Sequence, residues 1–91
     1  MIEFVDTHTH IFTTEFDADR AGAVQRAKEA GVGTLCLPAI NEQSLPALMA
    51  LCDAYPGVCH PMIGLHPTEL GDDYNSVIDR LYNLLKSDDR F

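Results

Sequence analysis

Positive charge is scarce in this sequence. Six lysines and arginines stand against fourteen aspartates and glutamates, a formal net charge of −8 over 91 residues. A protein steered onto nucleic acid by its own surface normally presents a basic face, and this chain has no surplus of cations to build one. The balance leaves room for an enzyme whose bound cations supply local positive charge. Long apolar runs are also missing. No stretch reaches the roughly 18 residues of a membrane span, so none is expected. The opening residues, Met1 to Asp6, lack the basic start and following apolar block of a signal peptide. Cysteine is sparse: Cys36, Cys52 and Cys59 are odd in number, widely spaced and form no C-x-x-C pair. That pattern suits buried, reduced thiols in a cytosolic protein better than metal ligands or a disulfide framework. Repeats, low-complexity tracts and like-charge tails are absent as well.

What is present starts at the N-terminus. Ile2-Glu3-Phe4-Val5-Asp6-Thr7-His8-Thr9-His10 begins as a strand and ends in two histidines. Side chains alternate across a strand, so Ile2, Phe4, Asp6, His8 and His10 share one face if the strand stays regular. That face starts apolar and finishes as carboxylate, imidazole, imidazole. It suits a strand whose lower part lies in a core and whose C-terminal end opens into a site. Two imidazoles two residues apart on a stiff backbone reach one cation at about 2.0–2.1 Å each. Asp6 lies just below, where a carboxylate orients an imidazole.

The rest reads as strand and helix in alternation. Residues 11–16 form a loop too apolar for an ordinary solvated connection, expected to fold over the strand ends. Asp17 is the candidate N-cap of a first helix running to about Ala30, with Gly31 as its left-handed C′ residue. Ala21, Val24, Ala27 and Ala30 make its buried stripe. Thr34 to Leu37 is a short, continuously apolar run, as in a parallel strand covered on both faces. Ser44 caps a second helix with Pro46 in its first turn and a stripe of Leu45, Leu48, Met49, Cys52 and Tyr55. Val58 to Ile63 is the third strand, with Pro61 marking an edge or bulge. Asp72 and Asp73 open a third helix whose buried face is Val77, Ile78, Leu81, Leu84 and Leu85. Such alternation with short connections implies parallel strands, whose C-terminal ends share one side where sites collect. His8, His10 and His66 all follow strand ends. His60, six residues before His66, belongs toward the opposite end and reads as structural. Glu15 reads as a solvated loop residue.

Four motifs now line up: Asp6-Thr7-His8-Thr9-His10; Phe16-Asp17 with Asp19-Arg20; Ala30-Gly31-Val32; and Gly64-Leu65-His66-Pro67. In order and spacing they resemble the TatD-type metal-dependent deoxyribonucleases of the amidohydrolase-like barrels. The resemblance implies an α/β fold, a (β/α)8 TIM barrel of about 250 residues. This chain would hold about the first three βα units, so that residues 1–91 form the N-terminal part of a single hydrolase domain. It also implies that His8 and His10 ligate the first of two divalent cations (Mg²⁺, Mn²⁺ or Zn²⁺). His66 would line the pocket near the scissile phosphate, and Asp6 would support the histidine pair. The remaining ligands of that pattern fall beyond Phe91, and the 91 residues alone are expected to be inactive.

The function implied is cleavage of DNA phosphodiester bonds, exonuclease-like, in the cytoplasm, with DNA as partner and no membrane or obligate protein partner. Two other readings stay open. One keeps the barrel and turns it on a small ester, lactone, amide or phosphoester, which suits the acidic balance. The other is a non-catalytic metal-binding or interaction module.

Overall fold

A computed structural model describes residues 3–91, so the expected contribution of Ile2 to the first strand lies outside the described residues. Three strands, β1 (Phe4–Asp6), β2 (Val32–Pro38) and β3 (Cys59–Met62), alternate with three helices, α1 (Arg20–Glu29), α2 (Leu45–Ala54) and α3 (Tyr74–Ser87). The strands form one parallel sheet in the order β1-β2-β3. The α/β class and the parallel pairing are thus as the alternation implied.

β2 is the middle strand and its burial alternates. Leu35 and Leu37 are buried, and Cys36 between them is half-buried. The expectation of cover on both faces is therefore corrected. Among the described residues the core lies on one face, where Val24 of α1 and Leu48, Leu51 and Cys52 of α2 close on Leu35, Leu37 and Cys59. The pairings Cys36 with His60 and Pro38 with Met62 put those four residues on the uncovered face. Met62 is accordingly exposed.

β1 departs furthest from expectation. Its lower part does not lie in a core: Phe4 and Val5 are 62% and 55% exposed. It is an edge strand paired only with β2, and its register slips between Phe4 and Val5. The regular strand stops at Asp6, and Thr7 begins a bend. Thr9 still reaches the sheet, its amide donating to the Cys36 carbonyl at 3.0 Å.

At the other edge, the carbonyls of Val58 and Met62 accept from the amides of Leu35 in β2 and of Ala39 just after it. Pro61, of opposite parity, turns its donor-less nitrogen to the open side, the place where proline costs a strand nothing.

The helix starts are also corrected. Asp17 is not the N-cap of α1. It follows a 3-10 turn, Thr14–Phe16, and its carboxylate binds Arg20. The cap position belongs to Asp19. Ser44 does precede α2, but its hydroxyl points back, donating to the Asn41 carbonyl at 2.7 Å, while Asn41 Oδ1 accepts from the Ser44 amide. Gly31 sits at φ 90°, the left-handed position that closes α1. In α1 Val24 is buried while Ala21 and Ala30 are exposed, and in α3 only Val77 and Leu81 are buried. Ile78 and Leu85 stay 46% and 44% exposed because nothing among the described residues covers that side of α3.

Candidate metal centre

The loop from Thr7 to Thr13 rises from the C-terminal end of β1. Ile11 and Phe12 turn inward and are buried, as the apolarity of this loop implied. Arg20, in the first turn of α1, gathers the loop. Its Nε donates to the Ile11 carbonyl at 2.7 Å, and Nη2 donates to those of Phe12 and Thr13 at 3.3 and 2.6 Å. Asp17 Oδ1, 2.8 Å away, balances the charge. One guanidinium thus fixes the three residues that follow His10. Sequence reasoning found Arg20 only as part of a motif and gave it no task. The i, i+3 spacing from Asp17 was the available signal.

His8 and His10 are brought together. Their Nε2 atoms lie 3.1 Å apart, with ring centroids 4.9 Å apart and planes at 89°. His10 also sets its ring edge-on to Phe12 at 5.6 Å. Two nitrogens each about 2.0–2.1 Å from a common ion would, at this separation, subtend about 95–102°, between octahedral and tetrahedral angles. The donor set therefore fits one shared cation of the type that accepts imidazole. The buried Nδ1 of His10 has no hydrogen-bond partner among the described residues. Orphaned buried polar atoms are uncommon and concentrate where function constrains a side chain.

No hydrogen bond among the described residues joins Asp6 to either ring. Its Oδ1 accepts from the backbone amide of His8 at 3.1 Å. It therefore holds the turn that carries His8. The expected carboxylate–imidazole contact is not formed.

His66 stands after β3, as the N-cap of a 3-10 turn, Pro67–Glu69. Its amide donates to the Ile40 carbonyl at 2.8 Å, so the loop after β3 is pinned to the loop after β2. The link is repeated by Asn41 Nδ2, which donates to Glu69 Oε1 at 3.2 Å, and Arg80 of α3 ties that helix to the same region, gripping Glu42 with two 2.7 Å bonds. Arg80 holds the Glu42 carboxyl below its usual range. No hydrogen bond among the described residues joins His66 to His8 or His10. Both loops do leave the same end of a parallel sheet.

His60 lies inside β3, exposed on the uncovered face, and Glu15 is solvated. Among the described residues no group of three or more His, Cys, Asp or Glu side chains converges as a metal site. Among the described residues His8 and His10 bring two imidazole nitrogens together without a third such group. None of the helices among the described residues is long and apolar enough to cross a membrane.

Comparison with known proteins places the chain in a family. The family model described as TatD related DNase matches residues 5–90. The uncharacterized metal-dependent hydrolase YjjV of Escherichia coli K12 is 31% identical over 83 residues, 91% of this chain and 32% of that protein. The 3'-5' ssDNA/RNA exonuclease TatD of Pectobacterium carotovorum is 29% identical over the same length and the same shares. Human deoxyribonuclease TATDN3 is 31% identical over 68 residues, 75% of this chain and 25% of that protein. The chain spans about a third or less of these relatives, and over that span it belongs to the TatD related DNase family.

Proposed function

We propose that the chain forms the first three βα units of a (β/α)8 barrel, and that residues 1–91 are the N-terminal part of one metal-dependent hydrolase domain. The open edge at Pro61 and the exposed Ile78 and Leu85 support this reading, because further strands and helices would cover them. The substrate we assign is DNA, cleaved at phosphodiester bonds in exonuclease fashion, in line with the names that two of the relatives carry.

The observation that carries the reading is the convergence of His8 and His10 Nε2 at the sheet's C-terminal rim. These two rings would hold the first of two divalent ions. When bound, such ions supply Lewis acidity and a water nucleophile at neutral pH. Asp6 sets the backbone from which His8 projects, and Arg20 fixes the loop beyond His10. His66 would line the pocket beside the scissile phosphate. The three free thiols suit a reducing compartment, and we assign the cytoplasm.

The net charge of −8 favours a second reading, a small ester, lactone, amide or phosphoester as substrate, since a polyanion gains nothing from an acidic surface. The full-length protein, assayed with Mn²⁺ or Zn²⁺ on 3'-labelled single-stranded DNA and on ester and lactone panels, separates the two. Stepwise release of nucleotides is expected. Turnover of the small substrates with intact DNA would transfer the assignment to the second reading.

A further inference from the structure

His66 folds its ring back over the turn it opens. The backbone amide of Thr68 donates to Nδ1 at 3.2 Å, and the Thr68 hydroxyl lies 2.8 Å from the same nitrogen. A backbone amide can only donate, so Nδ1 must be the acceptor. The hydroxyl proton rotates freely and serves as a second donor. A neutral imidazole carries one proton, and with Nδ1 accepting it resides on Nε2. The backbone beneath the ring is fixed independently, by the His66 amide on the Ile40 carbonyl. Ring, proton position and backbone are thus set by three named partners.

We propose that Thr68 is a positioning residue. It holds His66 with its proton on Nε2, so that this ring meets the substrate as a hydrogen-bond donor and not as a metal ligand. The proposal rests on the reading of His66 as a pocket residue and goes further by fixing what it offers. A metal ligand needs a free nitrogen lone pair. On His66 the Nδ1 lone pair is engaged by Thr68 and Nε2 carries hydrogen. His8 and His10 differ in that their Nε2 atoms face each other and receive no backbone amide. A phosphodiester oxygen is an acceptor, and a fixed N–H aimed at it strengthens as negative charge develops there. The same donor suits an ester or lactone carbonyl, so the role of Thr68 does not depend on which substrate class is correct.

The test uses the full-length protein with ¹⁵N-labelled histidine. Long-range ¹H–¹⁵N correlation spectra report the protonation of each His66 ring nitrogen. The wild type is expected to show protonated Nε2 and an unprotonated Nδ1 displaced by the bonds it accepts. Thr68 is exposed, so its substitution leaves the fold intact. Thr68→Val removes the hydroxyl and should move the Nδ1 resonance toward that of a free acceptor. Turnover number should fall about tenfold, the low end for loss of an orienting partner, with KM nearly unchanged. Thr68→Ser should restore both. A wild-type His66 protonated on Nδ1 overturns the proposal. So does a Thr68→Val protein with unchanged spectrum or unchanged turnover, or a serine variant that restores neither. The spectra need no substrate. If the wild type turns over neither DNA nor small esters, the functional reading fails while the spectra still decide the placement of the proton.

Discussion

Arg20 Nε donates to the carbonyl oxygen of Ile11 at 2.7 Å, one residue beyond His10. The same guanidinium serves Phe12 and Thr13, so one side chain donates to three successive loop carbonyls. Arg20→Ala should lower unfolding free energy by about 1.5–3 kcal/mol, the range for hydrogen bonds to a charged group. Arg20→Lys should recover little, because an ammonium cannot fork across several carbonyls. Urea denaturation reads both. A loss under about 0.5 kcal/mol for Arg20→Ala would mean that water replaces the guanidinium without cost.

The 3.1 Å approach of His8 and His10 Nε2 yields a second expectation. His8→Ala and His10→Ala should each weaken Mn²⁺ or Zn²⁺ binding by more than about tenfold in the full-length protein. Asp6→Ala should weaken it less, since that carboxylate acts through the His8 amide alone. Titration calorimetry ranks the three. Undiminished binding by a double histidine variant would remove the pair from the metal centre.

The order of elements was legible because each carries its own period: a continuous apolar run at 34–37, the Leu45, Leu48, Cys52 spacing, and the turn signal at Gly31. The site was legible in part for the same reason. His8 and His10 share a parity, and two residues of one parity converge even where the strand has given way to a bend. Three features were not readable. Side-chain choice at loops depends on competing local partners, so Asp17 binds Arg20 in place of capping α1, and Asp6 binds an amide in place of a ring. Edge exposure depends on what lies beyond a strand, and no pattern within Phe4-Val5 reports that. The Thr68 bonds to His66 depend on the 3-10 turn Pro67–Glu69 bringing Thr68 back to the His66 ring, which H-P-T does not announce.

Burial separates two leucines of similar sequence character. Leu37 is fully buried near the C-terminal end of β2, whereas Leu85 on α3 is 44% exposed. Leu37→Ala should cost about 2–5 kcal/mol, because a cavity opens between the sheet and α2. Leu85→Ala in the 91-residue chain should stay within about 0.5 kcal/mol. In the full-length protein the second value should rise toward the first if further barrel elements cover α3. Equal, small values for Leu85→Ala in both lengths would argue that this face stays bare.

Cys52 and Cys59 give the chain an alkaline limit. Burial pushes the Cys52 thiol up from 9.0 to about 11, and the neighbouring Cys59 adds to the shift. Burial raises Cys59 as well. The thiols of the unfolded chain ionise first as pH rises, so unfolding gains what folding cannot. The stabilisation is complete below about pH 9 and is lost progressively as pH climbs through about 11. The melting temperature should therefore fall steeply between these values. Cys52→Ala should melt lower at pH 7, having lost packing, yet with a shallower decline above pH 9. Parallel declines in wild type and variant would assign the alkaline loss to other groups. At pH 7.5 a maleimide should modify the half-buried Cys36 well before Cys52 or Cys59, because reaction needs both access and thiolate.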